Sequence, residues 1–298
     1  MELSWLMKLR ITASVATGAI LIGILGWPLV APSEPLGTVS LLAGSISGIE
    51  AALLVVLGFL AGLIGYIVSW PYGREIGILA APSGLAVLSL RCGTMADLLR
   101  STAVSERPAL FSALRWEPVF WLAIVAAGFG GVLIGQKIHA KQEPDETQGK
   151  SNPGSNIDLN VIIALVCSVL IAQFFISIFA RDVKIPDDKL GSVIAQPSTE
   201  QIAFAVFVSF GLAAFVVKKF LHVSYIWPTI ASAFVTAFVI MTYVKRDVLQ
   251  YIVQNWPVVF FSNAGVSILP VQMVAFGTLG SISGFWLAVR YSYWRKHA

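Results

Sequence analysis

Charge is what this sequence has least of. Only 12% of its 298 residues are Asp, Glu, Lys or Arg, about half the share in a soluble domain. Hydrophobic residues make up 57% and the mean hydropathy is +0.80. That balance excludes a water-soluble fold. Cysteine and histidine are nearly as scarce: Cys92 and Cys167, and His139, His222 and His297, scattered along the chain. No disulfide framework, thiolate zinc site or His-x-x-x-His metal site can be built from them. A Gly-x-Ser-x-Gly elbow, a phosphate loop and a dinucleotide fingerprint are all missing, so no catalytic residue, cofactor or metal is implied. The net charge of +4 is small for the length, and the basic residues flank apolar runs, which fits orientation in a bilayer and not nucleic-acid binding.

Long apolar runs are present instead. The first, 11–30, follows Lys8 and Arg10. Its end, Leu29-Val30-Ala31-Pro32, lacks a small-x-small cleavage pattern, so it reads as an uncleaved span. Six more runs, 50–70, 118–136, 159–180, 202–217, 223–244 and 268–289, approach the ~20 residues a span needs. The expected fold is all-α: a polytopic transmembrane helical bundle of about 7–8 spans. It forms one integral membrane domain over 1–298, with halves 1–138 and 157–298 joined by the polar connector 139–156.

Two elements are ambiguous. Residues 76–90 are apolar but broken at Pro82-Ser83-Gly84. As a helix they would rise about 22 Å, short of the ~30 Å hydrocarbon core. Residues 248–262 are broken by Gln250, Gln254, Asn255 and Pro257. Basic residues arbitrate between the arrangements. If only 248–262 crosses, the 20 Lys and Arg divide 15 to 5; if only 76–90 crosses, 11 to 9; if both or neither cross, 12 to 8. The first arrangement is therefore expected: 76–90 does not cross, there are eight crossings, and both termini are cytoplasmic in the inner membrane. Beyond 76–90, Ser105-Glu106-Arg107-Pro108 reads as a helix start, with Leu110, Phe111 and Leu114 as its apolar stripe. This predicts an interfacial amphipathic helix over about 105–116, with Arg91, Arg100, Arg107 and Arg115 placed to contact headgroups or a partner.

Three glycine pairs, Gly58 and Gly62, Gly131 and Gly135, and Gly280 and Gly284, have small-xxx-small spacing. They suit close packing inside one bundle, or a face for a membrane-protein partner or a second copy. Gly-Ser-Ile-Ser-Gly occurs at 44–48 and again at 280–284, though not at equivalent places in the halves. Each half does carry a proline-broken element before its last span. Such elements can line a mid-membrane pathway, which makes Glu50, Pro82, Ser83, Gly84, Gln250, Gln254, Pro257 and Gln272 the candidate pathway or packing residues. Glu50 has a plainer reading as a first-turn acid favoured by the helix dipole. Span interiors carry amides and hydroxyls, among them Gln173, Ser209 and Thr236, and no chain of titratable groups. That argues against a proton-driven pump and against intramembrane catalysis. The sequence thus reads first as a permease or channel, with a non-enzymatic accessory or scaffolding subunit as the alternative. It names no substrate.

Overall fold

The computed structural model describes residues 4–32, 38–41, 46–140 and 157–297. Most of the connector 139–156, and residues 44 and 45 of the first pentapeptide copy, lie outside them. The fold is an all-α bundle, with seven helical stretches long and apolar enough to cross a membrane. The first joins α1 (Trp5–Gly18), a π-helical turn (Ala19–Ile24) and α2 (Trp27–Val30). The others lie in α3 (Gly48–Val68), α8 (Glu117–Ala140), α9 (Ile157–Phe179), α10 (Thr199–Leu221), α11 (Ile226–Tyr243) and α13 (Pro270–His297).

The short element 76–90 comprises the end of α4 (Gly73–Ile76), a 3-10 turn (Gly77–Leu79) and α5 (Ala80–Ser89). It runs beside the first span and in the same direction. Ser14 Oγ donates to the Ile76 carbonyl at 3.2 Å, Gly18 abuts Ala80, Gly23 abuts Val87, and the Arg91 guanidinium stacks on Trp27 at 4.4 Å. Helices α3 and α8 also run parallel, since Gly58 meets Ile124, Gly62 meets Gly128 and Gly135 meets Tyr66. Between the end of α3 and the start of α8 the chain must therefore return from one end of the bundle to the other. Residues 76–90 make that return, where the basic-residue count favoured an element that stays on one side. The shortness and breaks are tolerated because this backbone is sheltered by protein instead of lipid: it packs on α1, α3 and α13, and Ser83 Oγ donates to the Leu79 carbonyl at 2.6 Å.

The end where α1 starts and α13 finishes is called proximal, and the other distal. The second ambiguous element, expected to cross, stays distal. It forms α12 (Arg246–Asn255) and β3 (Phe260–Phe261), which pairs antiparallel with β2 (Gly191–Ala195). The polar loop 181–201 holds the hairpin of β1 (Lys184–Asp187) and β2, completing a sheet of order β1-β2-β3. Its turn is set by Asp187, whose Oδ1 accepts the N–H groups of Lys189 at 3.0 Å and Leu190 at 2.7 Å, and by Gly191 at φ +73°. Helices α6 (Met95–Ser101) and α7 (Arg107–Leu114) share the distal end, with Leu110, Phe111 and Leu114 buried as the apolar stripe requires. Counted by chain position in this arrangement, the 20 basic residues divide 11 proximal to 9 distal, so charge gives the bundle almost no orientation.

Candidate functional site

The candidate site is the seam where α5 and α8 meet α11 and α13. Small side chains let it close. Ala81 of α5 abuts Gly128 of α8, Gly84 seats α5 on the first span at Gly18 and Ile22, and Ala80, Leu85 and Leu88 are 0% exposed. Pro82 and Ser83 are buried beside them, and the Ser83 hydroxyl is turned back onto its own helix. Gln272 enters the core from the first turn of α13. Its Oε1 accepts the Leu269 N–H at 3.1 Å, and its Nε2 is buried with no partner among the described residues. An amide left half satisfied in this way is what a water or a polar solute would complete.

The other sequence candidates lie elsewhere. Glu50 closes a capping box with Ser47, accepting the Ser47 N–H at 2.7 Å, at the distal start of α3. Gln250, Gln254 and Pro257 are exposed on the distal surface and do not join Ser83 and Gln272. The arginines already have partners within the chain. Arg91 stacks on Trp27, Arg100 pairs with Asp97 at 3.3 Å, and Arg115 lies over Trp116. Arg107 is buried and donates from Nη2 to the Leu99 carbonyl at 3.1 Å, tying α7 to α6. Arg107 Nε and Arg115 Nε are buried without partners among the described residues. All six glycines of the small-xxx-small pairs face helices of the same chain.

Two acids that sequence reasoning passed over organise the distal end. Glu117, 1% exposed, accepts from Ser40 Oγ at 2.7 Å, the Leu41 N–H at 3.0 Å and Trp121 Nε1 at 3.0 Å. A buried carboxylate needs such donors. The available signal was a glutamate just before Pro118 with a tryptophan one helical turn later. That tryptophan, Trp121, is 0% exposed although it lies near the start of an apolar run, where interfacial aromatics collect.

Asp187 is the second acid. Besides the hairpin N–H groups, its Oδ2 accepts Tyr251 Oη at 3.0 Å and Trp256 Nε1 at 2.8 Å, which latches α12 to the sheet. Desolvation pushes its pKa up, but the donors from Leu190, Trp256, Tyr251 and Lys189 outweigh it and hold the carboxyl below its ordinary value. The Tyr251 hydroxyl is shifted the other way, first by its bond to Asp187. Gln196 is a third distal tie. It accepts the Ala96 N–H at 3.2 Å and donates to the Ser267 carbonyl at 3.0 Å, linking β2 to α6 and to the turn before α13.

Among the described residues no group of three His, Cys, Asp or Glu side chains could hold a metal ion. No protein-family model matches this chain, and it has no match among curated proteins or among solved structures.

Proposed function

We propose that this multi-pass membrane protein is a permease-like transporter whose two halves, 1–138 and 157–298, work about the seam of α5 and α13. One observation carries the reading: the halves follow the same path. In each, a first helix runs from proximal to distal, a second returns, a third runs distal again, a surface segment follows, and a fourth returns parallel to the second. The second and fourth helices meet backbone to backbone at glycines in both halves, Gly62 with Gly128 and Gly211 with Gly284. Parallel repeats about an axis along the membrane normal, with an interrupted helix at their interface, are a recurring transporter plan. The interrupted helix here is the third of the first half, and the half-satisfied Gln272 lies in the fourth of the second.

The proposed location is the inner membrane with both termini cytoplasmic, a direction that the basic residues favour only by 11 to 9. A green-fluorescent fusion at the C-terminus should be bright and an alkaline-phosphatase fusion there inactive. The reverse pattern turns the orientation over.

The alternative, a non-enzymatic accessory subunit, draws support from the closure of the seam, where Ser83 is 5% and Thr236 2% exposed. Single cysteines at these positions, in a background lacking Cys92 and Cys167, separate the two. In a transporter that opens to each side in turn, both react with membrane-impermeant thiol reagents added from either face of proteoliposomes. A permanently packed subunit leaves both unreactive from both faces.

A further inference from the structure

Outside the seam, a cleft of about 210 Å³ lies between α9 and α11, under the turn at Asn263 and Gly265. Its mouth is on the outer wall of the bundle, where Phe174, Phe238 and Met241 are 60%, 57% and 58% exposed. Molecules dissolved in the bilayer reach such a mouth directly. The polarity is graded. Ser177, Thr242 and Asn263 sit near the distal ends of the two helices, while Ile176, Val235, Phe238 and Val239 form the walls. Gln173 is set about 9 Å in from the end of α9, on helix rise.

The hydrogen-bond inventory narrows the occupant further. The hydroxyl protons of Ser177 and Thr242 are already given to the carbonyls of Phe174 and Val239. Asn263 Oδ1 already accepts the Val266 N–H at 3.2 Å, which leaves the amide nitrogen as its open end. Gln173 has no hydrogen-bond partner among the described residues, although it sits inside a membrane span. The open donors are therefore the Gln173 and Asn263 amides, and the cleft lining holds no charged side chain. Two uncharged N–H₂ donors above apolar walls, with the Gln173 oxygen also open, suit a group that carries ester carbonyls on a hydrocarbon chain.

We propose that this cleft binds the glycerol-ester region of a bilayer lipid. The ester carbonyls accept from Gln173 and Asn263, and one acyl chain lies along Val235 and Val239. This assignment is independent of the transport reading.

The test uses the full chain in dioleoylphosphatidylcholine vesicles containing a trace of phosphatidylcholine with a photoactivatable diazirine on its acyl chain. After irradiation, adducts should concentrate on the segments around Ile176 and Val235. In vesicles of the diether analogue of that lipid, which lacks ester carbonyls, added dioleoylglycerol should compete with the probe and hexadecane should not. Gln173→Leu should weaken lipid retention roughly fivefold, as expected for one lost hydrogen bond. Val235→Trp, which fills the cleft, should abolish the focused labelling, whereas Ile162→Trp on the lipid-facing wall should leave it intact. Gel filtration and circular dichroism establish that each variant is folded. Adducts spread evenly over the exposed faces, labelling unchanged by Val235→Trp, or competition by hexadecane equal to that by dioleoylglycerol would each overturn the proposal.

Discussion

The indole N–H of Trp256 donates to the Asp187 carboxylate at 2.8 Å, across 69 residues of chain. With Tyr251 on the same oxygen, this bond holds α12 against the hairpin and keeps 248–262 at the distal end. The basic-residue count, not apolar length, made that segment look like a span. Its interruptions are instead the residues of a surface helix and of an edge strand that completes the sheet.

The Asp187 latch predicts a pH response with a definite sign. Because folding lowers this carboxyl below its ordinary value of 3.8, its contribution is fully present above that value and is lost as pH falls through the lower folded-state value. Protection from hydrogen exchange across 246–262, taken relative to the intrinsic rate at each pH, should therefore be high at neutral pH and fall below about pH 4. Asp187→Asn should remove the acid-induced step. An unchanged step in that variant would mean that another group controls the segment.

Topology is the second prediction. With 76–90 joining the two ends, cysteines at Tyr72 and Ser101 should label from opposite sides of the membrane, and cysteines at Ser101 and Tyr251 from the same side. The basic-residue count alone placed Tyr72 and Ser101 on one side and put Tyr251 inside a crossing segment. Labelling of Tyr72 and Ser101 positions from one side would return 76–90 to a non-crossing role.

Glu117 yields a third. Glu117→Ala strands the Leu41 N–H and the Trp121 N–H and removes the carboxylate that the Ser40 hydroxyl donates to, and should cost about 3 kcal/mol or more. Glu117→Gln keeps an oxygen for Leu41 and Trp121 and offers an N–H₂ to the Ser40 oxygen, so its loss should be a fraction of that. Thermal or denaturant unfolding in detergent reads both. Equal losses would show that charge matters here more than hydrogen bonding.

Much of the bundle was legible because spans are written in composition: runs of about 20 apolar residues leave few alternatives. The seven long helices and the stripe of Leu110, Phe111 and Leu114 came from such local patterns. What escaped depends on partners distant in sequence. Glu117 meets Ser40 and Leu41 across 77 and 76 residues, and Asp187 meets Trp256 across a whole helix pair. The sidedness of 76–90 escaped for another reason. The positive-inside count is a statistical preference, whereas the contacts of Ser14, Gly18 and Gly23 with that element are geometric.

The glycines supply the last prediction, because neighbouring members of one run face different surroundings. A Cβ on Gly62 would fall on the Gly128 carbonyl, and both atoms are backbone of long helices that cannot yield separately. Gly130, two residues on from Gly128, has nothing within 4 Å of where its Cβ would be. Gly62→Ala should thus destabilise by about 3 kcal/mol, at the upper end for overpacking a close-packed site. Gly130→Ala should be neutral or stabilise by up to about 1 kcal/mol through its helix propensity. The same contrast bears on assembly. Since the Gly62 face is filled by α8 of its own chain, a second copy cannot use it, and Gly62→Ala should lower the unfolding midpoint without changing the oligomeric state measured by light scattering. A clean shift of that state with no loss of stability would move the glycine face to the outside of the protein and restore it as a partner surface.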